Sequence, residues 1–270
     1  MLKAYKYRIY PNNEQKVFFA KTFGCVRFIY NRMLADRIKN YKEHQENPQV
    51  KLLNPTPAQY KQEFEWLREV DSLALANAQQ DLNAAYRNFF RDNSVGFPKF
   101  KSKHNNRCSY KTNNQKGTVA IENGYLKLPK LKSLVKIKLH RQFNGLIKSV
   151  TISKTPTNKY YASILVEENE QLFPKLNTSV GIDVGLKEFA ILSNGQRYAN
   201  PKWFRQAENR LRFLQRSLAR KKRGSANYEK ARLQVARLHE KITNMRKDFL
   251  HKVSNTITNE NQVIVMEYLR

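Results

Sequence analysis

The spacing of apolar side chains divides the chain into segments with different periods. Residues 2–10 alternate between apolar and basic side chains, which is typical of a β-strand. Over 12–96 the apolar residues recur every three or four positions, and this period predicts helices. We expect one of these helices to begin at Pro57 with Thr56 as its cap, and another to begin at Ser72.

From about residue 107 the period shortens to two residues, and several short strands are predicted. The pair Asn123-Gly124 is a strong two-residue hairpin signal between two of them. Many short strands joined by polar turns favour a small barrel or sandwich. We expect the isolated first strand to return to this sheet, so that the helical block is an insertion in a barrel.

The last third of the chain mixes both periods. Short strands are predicted over 180–184, 189–192 and 196–198, separated by glycine-containing turns. Apolar stripes at helical spacing in 204–218 and 231–249 then predict a helical hairpin. The closing run VIVM has the pattern of a buried strand.

The charge of the chain narrows its class of partner. Its 270 residues contain 50 Lys and Arg against 22 Asp and Glu, a formal net charge of +28, and 40% apolar residues, enough for real cores. Such an excess repels itself within a compact fold, so a polyanion is the natural partner. Because the bases are interleaved with aromatic residues across several segments, nucleic acid is favoured over a membrane. A ribosomal protein or a merely solvated surface is the alternative.

Several classes of protein are not expected from this sequence. It has no apolar run long enough to cross a bilayer and no signal-peptide pattern at its start, so we expect a cytoplasmic protein. Neither Cys25 nor Cys108 has a second cysteine nearby, so zinc is not expected. Cys25 has the setting of a small buried hydrophobic residue.

Two acidic residues lie in or at the end of apolar strands, where burial would be costly. Asp183 lies in VGIDVG, on the face opposite Ile182, and Glu267 follows VIVM. If these strands are neighbours in one sheet, both carboxylates can point to a shared site where a divalent cation offsets their repulsion. A turn-capping or salt-bridged aspartate is the alternative interpretation.

These segments also resemble a known family. GIDVGLKEFAILSNG, the hairpin with RKDFLHKVS, and VIVMEYL closely resemble the RuvC motifs of the TnpB (OrfB) proteins of bacterial insertion sequences. Upstream, KAYKYRIYPNNEQ, GCVRFIYNRML and GFPKFKSK are similar to that family's N-terminal half. The resemblance covers essentially the whole chain. It implies a transposase-associated, RNA-guided DNA endonuclease, related to compact type V CRISPR effectors and located with the bacterial nucleoid.

The resemblance implies an α+β multidomain architecture. A small wedge β-barrel would occupy 1–11 and 103–172, split by a helical recognition domain over 12–102. An incomplete RuvC domain of RNase H-like α/β fold would occupy 177–270, and it would include a basic helical hairpin over 203–258.

The resemblance also implies roles for the two acids. Asp183 and Glu267 match catalytic metal ligands, and in such sites two Mg²⁺ ions activate a water and stabilise the leaving oxygen. The family's third acid lies in a later motif, beyond a zinc ribbon, so we expect an incomplete Mg²⁺ site and inefficient cleavage. Tyr268 departs from the family, where an aspartate commonly follows the glutamate.

An incomplete domain has a structural consequence as well. We expect Val263, Val265 and Ile182 to lose part of their cover, unless a second polypeptide completes the fold.

The expected partners are a guide RNA from the mobile element and a target DNA with a short adjacent motif. Segment 205–252 holds 15 Lys or Arg and 4 acids. A solvated helix face is the alternative interpretation of these charges. The candidate phosphate contacts in this segment and just before it are Lys202, Arg205, Arg212, Arg216, Arg220, Lys221, Lys222 and Arg223. The resemblance implies that two upstream regions recognise the short adjacent motif in the DNA. The candidate residues are Gln79, Gln80, Asn83, Arg87, Tyr110, Lys111 and Thr112. Glutamine is also ordinary on helix surfaces, which is the alternative interpretation.

Three functions are therefore open. The first is a TnpB-like endonuclease that lacks its third acid and is deficient in cleavage. The second is an RNA-guided DNA-binding regulator that does not cleave. The third is a decayed gene fragment with nonspecific affinity for RNA.

Overall fold

The chain forms two compact units, Met1–Glu170 and Gln171–Arg270, each with its own sheet and helices. Among the helices that can be described, none is both long and apolar enough to cross a membrane. The computed structural model describes residues 1–52, 54–92, 94–103, 108–169 and 174–267.

Two helices of the first unit begin at side-chain caps. The Asn12 side chain accepts the Gln15 N–H (2.8 Å) and the Gln15 side chain accepts the Asn12 N–H (2.9 Å), which is a reciprocal capping box. Asp71 accepts the Ala74 N–H at 3.2 Å. Thr56 precedes the second helix as predicted. The elements are α1 (Asn13–Glu46), α2 (Pro57–Glu63), a 3₁₀ helix (Glu65–Glu69) and α3 (Ser72–Arg91).

Seven strands form one antiparallel sheet in the first unit, in the order β2-β6-β7-β1-β5-β4-β3. The first strand lies between β7 and β5, so its predicted return to the later strands is confirmed. The described strands form one curled sheet in which β2 and β3 are the two end strands. The strands are β1 (Leu2–Tyr10), β2 (Cys108–Asn113), β3 (Ala120–Glu122), β4 (Tyr125–Lys127), β5 (Val135–Lys138), β6 (Leu146–Lys154) and β7 (Tyr160–Glu167).

One hydrophobic core joins this sheet to the helices. Tyr7 and Ile9 of β1 are buried together with Phe19 of α1, Leu75 of α3 and Ile164 of β7. The alternating apolar residues of β1 therefore face the core, and the basic residues between them face the surface. At the β3–β4 connection, Asn123 and Gly124 have φ angles of 50° and 78°, as the predicted two-residue hairpin turn requires.

The second unit has a four-stranded sheet and two long helices. The strand order is β10-β9-β8-β11, with β8 and β11 parallel and the other pairs antiparallel. Its core is small and joins Val180 and Leu192 of the sheet to Val253 and Ile257 of the last helix. The predicted helical hairpin is present. The elements are β8 (Ser179–Asp183), β9 (Glu188–Leu192), β10 (Arg197–Ala199), α4 (Trp203–Ala219), α5 (Ala226–Glu260) and β11 (Val263–Met266).

The expectation of a buried strand at VIVM is wrong for the described residues. All four residues of β11 are exposed, including Val263 at 53% and Val265 at 61%. β11 lies at the edge of the sheet and pairs with β8 on one side. The predicted loss of cover is therefore confirmed for these two valines, while Ile182 is half-buried and packs against the small core.

Candidate carboxylate site and nucleic-acid interface

Asp183 and Glu267 occupy matching positions on neighbouring parallel strands. Asp183 ends β8, Glu267 directly follows β11, and the preceding residues Ile182 and Met266 are opposite each other in the register. Since alternate residues of a strand share a face, both carboxylates belong to the face opposite Ile182. Adjacent strands are about 4.8 Å apart, so this register makes the two acids neighbours at one end of the sheet.

Thr178 connects the beginnings of the two strands that lead to the acids. The Thr178 hydroxyl donates to the Glu260 carbonyl oxygen at 2.6 Å. The Thr178 carbonyl accepts the N–H groups of Gln262 (3.0 Å) and Val263 (3.2 Å). These bonds connect the end of α5 and the start of β11 to the start of β8. The position of Glu267 therefore depends on contacts at the opposite end of the strand.

The carboxylate pair offers oxygen ligands to a cation. Asp183 and Glu267 are both exposed to solvent. Mg²⁺ commonly binds through one or two carboxylates together with substrate phosphates, so this pair fits one such ion. Within the described part of the chain, no group of three or more His, Cys, Asp or Glu side chains is arranged to hold a metal. A third protein ligand is thus not found among these residues.

The cysteines have the character of structural residues. Cys25 is buried in α1, and its burial raises the pKa of the thiol to about 11. Cys108 lies half-buried in β2. The interpretation of Cys25 as a small buried hydrophobic residue is confirmed.

The helical hairpin of the second unit presents its basic side chains to solvent. Arg212 forms an ion pair with Glu208 at 2.6 Å. With 15 basic and 4 acidic residues in 205–252, such pairs neutralise only a minority of the charge. The predicted phosphate contacts are all exposed: Lys202, Arg205, Arg212, Arg216, Arg220, Lys221, Lys222 and Arg223.

Four of these cations form what we call the basic turn, Arg220–Arg223, between α4 and α5. Gly224 follows with φ of 83°, a conformation that glycine adopts without strain. Ser225 then caps α5 by accepting the Tyr228 N–H at 3.1 Å. The local chain path therefore concentrates like charges at one end of the hairpin, where an anionic ligand offsets their repulsion.

The polar face of α3 carries four of the predicted base-reading residues. Gln80, Asn83 and Arg87 are exposed, and Gln79 is half-buried. Arg37 of α1 donates from its Nη2 to the Asn83 Oδ1 at 2.6 Å, which leaves the amide N–H₂ of Asn83 available to a ligand.

Arg37 was missed by the sequence reasoning. Its guanidinium lies 5.4 Å from the centroid of the Tyr86 ring, and its burial lowers its pKa. It is 46 positions from Asn83 in the chain, so no local pattern could have connected the two residues.

Two of the predicted DNA contacts in β2 are corrected by the structure. Thr112 is fully buried and its hydroxyl donates to Asp71, the cap of α3. Tyr110 is buried against Phe19. These side chains hold α1 and α3 on the sheet and are not available to DNA, whereas Lys111 between them is exposed.

Two family models match the chain. Residues 163–270 match the OrfB family of IS605-type elements, described as "Probable transposase". Residues 1–46 match the "Helix-turn-helix domain" of the same family, and in the structure this segment is β1 followed by the single long helix α1.

Curated relatives match the chain over nearly its whole length. A Streptomyces pristinaespiralis protein named "Putative RNA-guided DNA endonuclease" is 36% identical over 271 residues, covering 99% of this chain and 67% of that protein. InsQ of Escherichia coli K12, which has the same descriptive name, is 32% identical over 273 residues, covering 100% and 66%. The chain thus spans about two thirds of the length of these relatives.

Among solved structures, a CRISPR-Cas12f ternary complex aligns with a TM-score of 0.38 at 14% identity, covering 96% of this chain and 64% of that one. The family assignment rests on the sequence matches, which agree at both ends of the chain. The chain belongs to the OrfB (TnpB) family of IS605-type insertion sequences, the family of RNA-guided DNA endonucleases.

Proposed function

We propose that this chain binds a guide RNA encoded by its mobile element and, through that guide, a target DNA beside a short adjacent motif. Its family and the uncompensated charge of the hairpin support this function. The observation that carries the catalytic part is the parallel pairing of β8 with β11, which makes Asp183 and Glu267 neighbours.

The proposed domain organisation follows the family architecture. The sheet of the first unit, with β1 among the later strands, would be the wedge over 1–11 and 103–172. The helices over 12–102 would be the recognition domain inserted into it. The second unit would be the RuvC-like part over 177–270, with its RNase H-like order of three antiparallel strands followed by a parallel one.

Asp183 and Glu267 are the proposed ligands of Mg²⁺. The ion, when bound, neutralises charge on the phosphodiester and activates water. The residues of the chain hold the ion at the end of β8 and β11 and hold the nucleic-acid backbone through the exposed cations. Without the ion, the two adjacent carboxylates repel a phosphate at their own position, so binding of the nucleic acid would depend on the exposed cations.

A direct measurement of metal binding tests the role of the two carboxylates as ligands without relying on cleavage. Mn²⁺, a paramagnetic stand-in for Mg²⁺, is titrated into the protein and the free ion is followed by electron paramagnetic resonance. We expect Asp183→Asn and Glu267→Gln each to weaken the tightest site, and Asp248→Asn, an exposed acid on α5, to leave it unchanged. Equal Mn²⁺ affinity of the unmodified protein and the three variants would contradict a role of Asp183 and Glu267 in metal binding.

We propose further that the pair alone supports only inefficient cleavage, because within the described residues no third metal-ligating side chain joins Asp183 and Glu267. A second polypeptide could supply it. A regulator that occupies its target without cutting is the other function that this arrangement supports, since the basic surface does not depend on the third acid.

The RNA that copurifies with the chain is the first test. A discrete species of defined sequence is expected, and heterogeneous RNA would indicate nonspecific affinity and contradict guided binding. The purified complex is then given Mg²⁺ and a duplex matching that RNA, with a mismatched duplex as control. We expect guide-dependent binding without cleavage above background. Cleavage that Asp183→Asn abolishes would show that the site is active as it is.

The basic turn provides a test of phosphate binding. Replacing Arg220, Lys221, Lys222 and Arg223 by alanine is expected to weaken RNA binding and to reduce the slope of log K against log salt by roughly 0.7 for each lost contact to a single strand. A control variant with four alanines at Lys230, Lys241, Lys247 and Lys252 has the same net charge. If the slope of log K against log salt falls equally in both variants, the effect is caused by the net charge of the protein and not by the basic turn.

A further inference from the structure

The second unit contains a cavity of about 650 Å³ that the proposed function does not use. It is lined by the loop after β8, by the first turn of α4 and by the C-terminal half of α5. Its volume is within the range of about 300–1,000 Å³ that small-molecule sites occupy.

Aromatic rings form a wall of the cavity. Phe249 of α5 is edge-to-face with Phe189 (5.1 Å between centroids) and with Trp203 (5.5 Å). Phe204, the next residue of α4, also lines the cavity and is 50% exposed. Edge-to-face packing is the preferred geometry of such pairs, so the wall is stable, and the exposed ring of Phe204 offers its surface to a flat ligand.

The charged residues of the lining are all cationic. Lys187, Lys202, Arg205 and Arg246 line the cavity. Among the described residues that line it, none is Asp or Glu. An apolar ligand without charge would make no use of these exposed cations, whereas a ligand with an aromatic face and an anionic group matches both kinds of surface.

The rim of the cavity is preformed. The Asn200 side chain donates to the Leu186 carbonyl oxygen (3.1 Å) and accepts the Lys202 N–H (3.3 Å). It thereby ties the loop after β8 to the start of α4, where Lys202 has a left-handed φ of 48°. Such a conformation is costly for lysine and persists where surrounding contacts hold it. A preformed rim reduces the ordering cost of binding.

Two residues that line the cavity lie close to Asp183 in the sequence, which indicates the class of ligand. Leu186 and Lys187 follow Asp183 by three and four residues, in the loop that begins where β8 ends. The lining of the cavity is therefore continuous along the chain with the strand that carries Asp183. Base stacking on aromatic side chains next to cations is how proteins hold unpaired strands.

We propose that this cavity binds one unpaired nucleotide of a DNA single strand, with its base against Phe204 and Trp203 and its phosphate on the four cations. The proposal rests on the proposed function, because the strand is taken to be the target DNA presented to Asp183 and Glu267. It adds a binding site that holds the strand independently of the metal.

The test uses the fluorescence of Trp203 in the full chain. The protein has two tryptophans, and Trp66→Phe leaves Trp203 as the sole reporter. A short oligo-dT strand is titrated with EDTA present, so that the result does not depend on Mg²⁺ or on cleavage. We expect the strand to quench Trp203, with total binding followed in parallel by polarisation of a labelled strand.

Matched variants locate the site. Phe204→Ala is expected to weaken oligo-dT binding by about five-fold or more, the loss usual for one stacked base. Phe213→Ala, which removes a 67% exposed ring from the same helix outside the cavity, is expected to change it less than about two-fold. Arg246→Ala and its neighbour Lys247→Ala form a second pair, because both are exposed on α5 and only Arg246 lines the cavity.

Three results would overturn the proposal. One is DNA binding without quenching of Trp203, and another is equal loss in Phe204→Ala and Phe213→Ala; either would place the strand elsewhere. The third is stronger quenching by oligo-U than by oligo-dT, which would make the cavity a site for RNA. None of these results touches guided binding of duplex DNA, which the copurified RNA and the matched duplex test separately.

Discussion

The two units of this protein bury their apolar side chains to very different extents. In the first unit one core runs through the seven-stranded sheet and the helices α1 and α3. In the second unit the buried cluster consists of Val180, Leu192, Val253 and Ile257, and the apolar strand β11 is exposed. The first unit therefore has what an independently stable domain needs. The second places its candidate chemistry, Asp183 and Glu267, beside a thin core.

This difference matters for function because the two units hold their sites in different ways. In the first unit, buried contacts such as Thr112 with Asp71 hold the helix that presents the candidate base-reading residues. In the second unit, the exposed hydrogen bonds of Thr178 hold the strand that carries Glu267. We expect the carboxylate site to be the more easily disturbed of the two, since regions with few buried contacts open at lower free energy.

The largest expected effect is from a cavity in the first core. Leu75→Ala removes a fully buried side chain of α3 and is expected to cost about 2–5 kcal/mol. Val265→Thr, on exposed β11, is expected to change the stability of the second unit by less than about 0.5 kcal/mol. Hydrogen exchange read by mass spectrometry reports each unit separately. A large loss for Val265→Thr would show that β11 is covered in solution.

The second prediction compares the opening of the two units in denaturant. Cys25 reports the first core, because its burial raises the pKa of the thiol to about 11 and little thiolate exists near pH 8. We expect iodoacetamide to label Cys108 roughly 100-fold faster than Cys25, and the labelling of folded Cys25 to rise with pH as its thiolate forms.

With denaturant added, Trp203 fluorescence in Trp66→Phe is expected to report loss of the second unit before Cys25 becomes reactive. Cys108→Ser isolates the signal from Cys25. Simultaneous transitions would mean that the two units unfold as one and that the comparison fails.

A smaller effect is expected at the cap of α3. Asp71→Ala removes the acceptor of the Ala74 N–H and of the buried Thr112 hydroxyl, so it is expected to cost about 1–3 kcal/mol. Asp92→Ala, an exposed acid just past the other end of α3, serves as control. If DNA reading depends on the position of α3, Asp71→Ala also weakens motif-dependent binding while RNA binding remains. Equal stability of the two variants would contradict the role of this contact.

The smallest effect on stability is expected at Thr178. Thr178→Val removes the exposed hydrogen bond to the Glu260 carbonyl oxygen and is expected to cost about 1 kcal/mol or less. Weaker Mn²⁺ binding is also expected, because the hydroxyl no longer ties the end of α5, which leads into β11, to the start of β8. Thr258→Val, whose hydroxyl bonds within α5, is the control. If Thr178→Val binds Mn²⁺ as the unmodified protein does, the metal site does not depend on this hydrogen bond.

Local features of the fold followed from the sequence. The alternation of Tyr5, Tyr7 and Ile9 indicated which face of β1 is buried, and Asn123-Gly124 indicated a hairpin turn. These features depend on a few adjacent residues, whose backbone preferences and side-chain spacing are sufficient to decide them. The same holds for the beginning of α2 at Pro57.

Features that depend on residues far apart in the chain did not follow from the sequence. Thr112 and Tyr110 have residue types suited to contact DNA, yet the helices packed on β2 bury them. The exposure of β11 contradicted its apolar pattern because an edge strand is covered only by whatever packs on it. The aromatic cavity was missed because Phe189 and Phe249 are 60 positions apart and meet only in the folded chain.

The sequence by itself determined the helices, the strands, the turns, the excess of positive charge and the family, since each is encoded in local pattern or in shared motifs. The tertiary structure decided which strands became neighbours. Asp183 and Glu267 are far apart in the chain and become a pair because β8 and β11 lie parallel in one register. Hydrogen bonds between strands are alike for every residue type, so the pairing of strands is decided by packing across the whole unit.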